Sequence, residues 1–332
     1  MQKVTWGVLS TAKIGWEKAI PAMQKSQHCE VRAIASRDAA KARTLADRLS
    51  IVQSYGSYEE LLADPAIEAI YNPLPNDAHI ALTLAAARAG KHVLCEKPIA
   101  LSANEAMQLR QVADKVHIME GFMVRFHPQW LRVLERVRSG ELGAIGTVQA
   151  FFSYFNRDQN NIRNRAELGG GALYDIGCYP IVIGRFIFEC EPLRAIALID
   201  RDTQTGCDRT ATAILDFGQG RRLDFTVSTQ TASYQRVQLC GSRQRIEVQI
   251  PFNAPLGGST QLLIDNAQAL DGSKIVTETI PPCDMYTLQF DAFSQAVRGQ
   301  LPLPYDAEDA IANMRAIDAL FTSEHTKAWV DV

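Results

Sequence analysis

The feature that most constrains this chain is its first third, where short apolar runs alternate with helical stretches. Strands are expected at 5–9, 30–35, 66–71, 91–94 and 116–120, and helices at 14–26, 38–49, 77–89 and 102–114. Strand–helix alternation at this spacing means βαβ units, and βαβ units build a parallel sheet. Helices cover such a sheet on both faces, so its strands are apolar throughout rather than alternating.

The pattern changes after about Phe122. A helix is expected at 128–139, with Pro128 in its first turn, where proline costs no hydrogen bond. Strands then follow in series at 147–155, 193–200, 210–217, 221–229, 236–240, 245–250, 261–265 and 274–280, interrupted by one helix at 171–188. Tight turns such as Asp216-Phe217-Gly218-Gln219-Gly220 join some of them, which implies a large, mainly antiparallel sheet. Two helices close the chain at 285–298 and 307–324. The expected fold is an α/β Rossmann domain over 1–122, then an α+β domain with an open sheet over 123–332, with its last helix able to pack back on the first domain.

Composition narrows the function. The 332 residues suggest about two domains. With 47% hydrophobic and 21% charged residues the chain reads as an ordinary globular protein. A net charge of −3 without a basic block gives nucleic acid no electrostatic footprint. No apolar run reads as long enough to span a bilayer, and the N-terminus lacks the pattern of a secretory signal. Cysteines at 29, 95, 178, 190, 207, 240 and 283 stand singly, which suits reduced thiols in the cytoplasm. The histidines show no zinc-ligand spacing, and no metal is expected.

The first βα turn reads Leu9-Ser10-Thr11-Ala12-Lys13-Ile14-Gly15. In a dinucleotide fold, glycines here let a pyrophosphate approach the N–H groups of a helix N-terminus. In that register Ser10 and Ala12 replace the first two glycines and only Gly15 remains. Both replacements are small, though a tight turn that binds nothing would read the same way. The second strand ends in Ser36-Arg37-Asp38. An acidic residue there would take the ribose 2′-OH of NAD, whereas a hydroxyl and a guanidinium suit a 2′-phosphate. This favours NADP; the alternative is that Arg37 is a solvated residue at a helix start capped by Asp38.

Three further motifs complete the reading: Tyr71-Asn72-Pro73-Leu74-Pro75-Asn76-Asp77-Ala78-His79, Cys95-Glu96-Lys97-Pro98, and Gly169-Gly170-Gly171-Ala172-Leu173-Tyr174-Asp175-Ile176-Gly177-Cys178-Tyr179. With the first turn and Met123-Val124-Arg125-Phe126-His127-Pro128-Gln129, they resemble, in order and over nearly the whole chain, the glucose–fructose oxidoreductase / inositol dehydrogenase / MocA family. Many members carry histidine where this chain has Tyr179. The tyrosine resembles the branch of glucose–fructose oxidoreductase, NADP-dependent xylose dehydrogenase and dihydrodiol dehydrogenase, and departs from inositol-type NAD chemistry.

The resemblance implies Lys97, Asp175 and Tyr179 as the catalytic set. It implies cofactor contacts from Ser10, Thr11, Ala12, Lys13, Ile14, Ser36, Arg37, Pro73, Leu74, Asn76, His79, Glu96 and Lys97. Arg125 and Arg163, with Asp175, are substrate candidates. The chemistry agrees. Asp175 and Tyr179 are four apart and share a helix face. Lys97 ends a parallel strand, on the edge where open α/β sheets bind ligands. An ammonium beside Tyr179, reached across the cleft between domains, would favour its phenolate. Such a tyrosine can exchange a proton with a sugar hydroxyl while the nicotinamide carries the hydride.

Each residue also has a plainer reading. Lys97 fits a surface turn, Tyr179 a core aromatic, His79 a residue packed under its loop, and Arg163 a solvated loop cation. Arg125 and His127 fit a structural joint, and Cys178, on another helix face, a buried thiol rather than a nucleophile. The expected activity is NADP-dependent oxidation or reduction of a cyclic aldose at its anomeric carbon. A dihydrodiol dehydrogenase and a non-catalytic NADP-binding regulator are the alternatives. A sheet face left uncovered by helices would expose a large apolar area, so a homodimer or tetramer through that sheet is expected.

The cofactor reading is open to a direct test. Losing a guanidinium–phosphate contact costs about 1.5–3 kcal/mol. Arg37→Ala should therefore raise the KM for NADP about tenfold or more, with little change for NAD. Equal losses with both cofactors would remove the 2′-phosphate assignment.

Overall fold

The structure, a computed structural model, describes residues 2–332. It forms two compact units. One holds the residues up to Met123 together with Asp284–Met314, and the other holds Val124–Cys283 with Arg315–Val332.

The first unit is built on a six-stranded sheet of β1 (Val4–Leu9), β2 (Cys29–Ala35), β3 (Gln53–Tyr55), β4 (Ala69–Asn72), β5 (His92–Cys95) and β6 (Ile118–Glu120). Its order is β3-β2-β1-β4-β5-β6, and every pairing is parallel. This is the expected doubly wound sheet, with its winding reversing between β1 and β4. The three-residue β3 and the helix Tyr58–Ala63 were not foreseen; elements this short show no periodicity to read. The helix after β1 opens with a π-helical turn, Gly15–Ala19, before Ile20–Lys25.

The division of the chain differs from the sequence reading in one respect. The segment 284–314 belongs to the first unit, although it follows the long sheet in sequence. Trp6 of β1, fully buried, explains this. Its ring meets Phe290 edge-on at 5.3 Å and Phe293 at 5.4 Å, both from the helix Met285–Val297. Its indole N–H donates to Ser294 Oγ at 3.2 Å. A buried tryptophan needs both apolar cover and an acceptor, and this helix supplies the two together.

The second unit carries nine strands: β7 (Ile145–Phe155), β8 (Arg194–Arg201), β9 (Asp208–Asp216), β10 (Arg222–Ser228), β11 (Gln230–Gly241), β12 (Arg245–Val248), β13 (Thr260–Asp265), β14 (Val276–Ile280) and β15 (Val330–Asp331). The order is β14-β13-β12-β11-β7-β10-β9-β8-β15, with β7–β10 the parallel pair and the other pairings antiparallel. One face is the core: Leu215, Leu223, Val148, Leu239 and Ile246 stand in register across five strands, all fully buried. The helix Cys178–Phe188 lies against it. A Cβ on Gly184 would come within 3.0 Å of Leu223, so glycine sets how close the helix can sit.

Two expectations need correcting here. The opposite sheet face is not a continuous apolar area. Its register row reads Ile214, Asp224, Gln149, Gln238, Glu247, with Gln149 bonded to Asp224 and Gln238 to Glu247. Exposed Leu198 and Ile214 lie toward one side of this mixed surface. The run Ala166–Phe188, in turn, is long and apolar enough for a membrane span by length and composition. Its most apolar stretch is 83% buried inside the fold, which accounts for the apolarity as that of a core helix.

Candidate functional site

The first unit gathers its candidate residues at the carboxyl ends of the parallel strands. Directly after β1, Ser10 takes a left-handed φ of 71°. That conformation explains the glycine found there in dinucleotide folds, and in serine it costs on the order of 1–3 kcal/mol. The serine offsets part of this by accepting the Ala12 N–H on its hydroxyl at 3.1 Å. Gly15 is less constrained than the motif suggests: an added Cβ would meet only Pro73, at an ordinary 3.8 Å.

After β2, Ser36 is buried and Arg37 exposed. Ser36 Oγ accepts the Asp38 N–H at 3.2 Å, and Asp38 caps the helix Ala39–Leu49 by accepting from Lys41 N at 3.0 Å. The Lys41 ammonium stands 3.5 Å from the same aspartate. The Lys41 amide, followed by its ammonium, holds the Asp38 carboxyl below its usual range. Arg37 also hydrogen-bonds the Tyr58 phenol. Next to this turn a groove of about 380 Å³ is lined by Thr11, Trp16, Asp38, Lys41 and Arg48, among others, with the Arg48 guanidinium 4.6 Å from the Trp16 ring centre. Lys41, which lines this groove, is a cation that sequence reasoning passed over as helix surface.

The loop after β4 is held by a buried histidine. His79 has no exposed surface, and its two ring nitrogens stand 2.7 Å from the carbonyl oxygens of Pro98 and Leu74. Burial keeps this ring below its usual pKa. A neutral ring has one N–H, so it donates to one of the two carbonyls. Both nitrogens face carbonyls inside the unit, so the geometry fits a residue packed under its loop and not a cofactor contact. Asn72, also buried, donates to His79 O and Thr83 Oγ1 from below. Pro73, Leu74 and Asn76 form the loop that these two residues support.

Lys97 follows β5, half-buried, ahead of a cis peptide to Pro98. Its neighbour Glu96 accepts a hydrogen bond from the fully buried Tyr71 hydroxyl at 2.7 Å. Burial, reinforced by the Glu96 charge, pushes that phenol well up. Glu120 Oε1 accepts the Ile99 N–H at 2.7 Å on the other side of the turn. A Cβ on Gly121 would lie 3.1 Å from Cys95 O, so β6 can close on this turn only through glycine. Tyr71, although it opens one of the motifs, and Glu120 were given no role in the sequence reading.

The second unit holds the other candidates. Asp175 lies in a π-helical turn, Leu173–Gly177, and Tyr179 in the α-helix that continues it. Asp175 Oδ2 accepts from the Tyr154 hydroxyl at 2.6 Å and from Arg163 Nε at 3.0 Å. The Asp175 charge holds the Arg163 guanidinium more firmly protonated than usual. Burial first, then that charge, raises the Tyr154 phenol. The Tyr179 ring, 6% exposed, packs against Phe152 at 5.9 Å and Phe252 at 5.5 Å. Cys178 is buried and donates to Tyr174 O at 3.2 Å, as a structural thiol does. Arg125 is 3% exposed, and His127 Nδ1 caps the helix Pro128–Arg138 by accepting from Gln129 N. Burial takes that imidazole down to about 4.

The helix bearing Asp175 is capped by another carboxylate. Asp208 Oδ2 accepts the Leu173 N–H at 2.6 Å, so the Asp175 side chain is left to Tyr154 and Arg163. Neither Tyr154 nor Asp208 stood out in the sequence, because Tyr154 lies in an ordinary strand pattern and Asp208 between two expected strands.

The chain matches the NAD-binding Rossmann-fold pattern of the GFO/IDH/MocA oxidoreductase family over residues 4–125 and the C-terminal domain pattern of that family over residues 130–247. It is 42% identical to an uncharacterized oxidoreductase, ORF334, of Rhizobium meliloti, over the whole of both chains. It is 40% identical to D-xylose 1-dehydrogenase (NADP(+)) 2 of Haloferax volcanii, over 98% of this chain and 99% of that one. Among solved structures it is similar to KijD10, a 3-ketoreductase of Actinomadura kijaniata in complex with NADP and TDP-benzene. The TM-score is 0.90 and the identity 29%, over 97% of this chain and 98% of that one.

Asp175→Asn removes the charge that Arg163 faces and replaces one acceptor oxygen with a donor. It should impair turnover of a sugar substrate strongly and leave NADP affinity within a few-fold of the parent. Fluorescence titration and steady-state kinetics on one sample check both. A collapse of nucleotide binding would place Asp175 at the wrong ligand, and unchanged kinetics would leave it no role.

Proposed function

The chain belongs to the GFO/IDH/MocA oxidoreductase family, and from that premise we propose that it is an NADP-dependent oxidoreductase acting on a cyclic aldose at its anomeric carbon. The observation that carries the reading is the Asp175 cluster. A carboxylate fixed by Tyr154 and Arg163 lies one helical turn from Tyr179, on one rigid element. Arg163 offsets the Asp175 charge, so the cluster offers hydrogen bonds with little net charge. That suits a neutral polyol. The D-xylose dehydrogenase relative supports the same class of substrate.

The residues of the first unit fit an NADP molecule. Ser10 already holds the left-handed turn that opens the helix N-terminus toward a pyrophosphate. Arg37 and Lys41 set two cations at the end of β2, where a 2′-phosphate would lie. Nicotinamide, when bound, supplies the hydride acceptor or donor. In this reading Tyr179 takes the proton from the anomeric hydroxyl during oxidation and returns it during reduction. The Lys97 ammonium favours the phenolate form that accepts this proton. Asp175 orients neighbouring hydroxyls and so selects the carbon presented. Tyr71 and Glu120 hold the turn on which Lys97 stands.

The test is absorbance of the reduced nicotinamide after mixing enzyme, NADP and a panel of aldoses, with a trans-dihydrodiol included. Turnover is expected with a pentose or hexose. Tyr179→Phe should bind NADP normally and lose about 10²–10⁴-fold in turnover, the usual contribution of a general acid–base group. Turnover of the diol alone would replace the sugar reading, and near-normal turnover in Tyr179→Phe would place the base elsewhere.

We also propose a homodimer or tetramer through the outer face of the nine-stranded sheet. Leu198, 74% exposed on β8, is the most prominent apolar side chain on that face. Leu198→Lys should shift the particle mass measured by light scattering toward the 36.7 kDa protomer; an unchanged oligomer would place the interface elsewhere.

A further inference from the structure

Three consecutive glycines precede the helix of Asp175 and Tyr179, and the structure gives each a different reason. Gly169 turns the chain at a left-handed φ of 76°. A Cβ on Gly170 would lie 2.7 Å from Arg163 O, where the loop carrying Arg163 passes. Gly171, at φ 122°, would place a Cβ 1.9 Å from Asp208 Oδ1. The Gly170 and Gly171 amides donate back to Arg165 O and Arg163 O, both at 2.9 Å. One turn thus fixes both the loop of Arg163 and the start of the helix. The Asp208 carboxylate fills the space that side chains at 171 would need.

We propose that Asp208 is a positioning residue for the reaction: wedged into this glycine turn, it sets where the helix starts and so where Asp175 and Tyr179 stand. Its carboxylate is 2% exposed and has one oxygen on Leu173 N and the other over Gly171. The helix begins with a π-helical turn, a rare form found mostly as single turns, frequently at functional sites, and its N-cap residue Ala172 supplies no side-chain cap of its own. Asp208 comes from a different element, β9, anchored on both sides by β8 and β10. It transmits the position of the sheet to the helix.

The charge on Asp208 is part of this. An ionised carboxylate accepts the Leu173 N–H more strongly than a neutral acid does. The groups that face it are Arg201 from β8, Glu324 from the closing helix, Tyr154 from β7 and the adjacent Cys207. Glu324 is bonded to Arg201, so much of the nearby positive charge is already used. Burial raises Asp208 to about 7, so its charge changes near neutral pH.

The inference rests on the proposed oxidoreductase reading, and the experiment separates the two. A parent enzyme without turnover on any aldose or diol fails that reading before Asp208 is altered. With an active parent, Asp208→Asn keeps the shape and removes the titration. NADP affinity should stay within about twofold. A misplacement on the ångström scale costs up to about 100-fold in rate, so kcat should fall about 10–100-fold. The parent's decline in kcat/KM below about pH 7 should flatten in the variant. Asp208→Ser keeps a smaller cap acceptor and should recover thermal stability without recovering kcat. Gly171→Ala, which forces the carboxylate aside, should reproduce the kinetic defect and be non-additive with Asp208→Ser. Parent-like kcat and pH profile in Asp208→Asn would overturn the proposal. So would loss of folding and of NADP binding in all three variants, since Asp208 would then serve stability alone.

Discussion

A helix that begins away from water must find partners for its first N–H groups inside the protein, because a buried unpaired amide costs as much as the bond it lacks. The helix of the second unit begins in this way. Leu173 N is buried, and Asp208 of the neighbouring strand answers it. Much follows from that one bond. The carboxylate occupies the position of a side chain at residue 171, so glycine is required there. The glycine turn draws the Arg163 loop alongside, and the loop brings a guanidinium to Asp175. The arrangement of charge at the candidate site is therefore downstream of a capping interaction.

The first unit shows a second version of the same economy. Its parallel strands end in loops, and loops carry the candidate residues. The loops after β4 and β5 are tied from beneath by buried polar side chains. His79 spans two carbonyls, Asn72 holds the backbone behind it, Tyr71 fixes Glu96, and Glu120 fixes Ile99. A buried polar group without a partner would cost several kcal/mol in such surroundings, of order 2–7 in transfer measurements. Here the groups are paired with the backbone they restrain, so satisfying them and holding the site are the same act. Function needs ordered loops, and an apolar floor alone would leave them free to slide.

Charge compensation has a similar logic. Asp175 is held by one phenol and one guanidinium at a single oxygen. Pairing with a guanidinium offsets the cost of placing a carboxylate in a partly buried site. It also limits the net charge that the cluster presents.

The doubly wound sheet was legible in the sequence, because apolar runs at βαβ spacing leave no other economical way to bury them. The open antiparallel sheet was legible from the string of strands after residue 145. Lys97, Asp175 and Tyr179 were legible as candidates because they sit in contiguous motifs, and family membership in this sense is a property of sequence. What depends on distant residues was not legible. Helix 285–297 joins the first unit because Trp6, nearly three hundred positions earlier, needs its phenylalanines and Ser294. His79 reads equally as ligand or strut until the carbonyls of Leu74 and Pro98 are seen on either side of its ring. Tyr154 looks like an ordinary strand residue and Asp208 like a polar residue between strands, since a local pattern reports which face is buried and not what lies beyond it. The sequence by itself determined the fold class and the candidate residues, because those depend on local periodicity and short motifs. Only the tertiary structure decided which buried polar groups hold them in place, because a hydrogen bond between distant residues leaves no mark on the spacing of either.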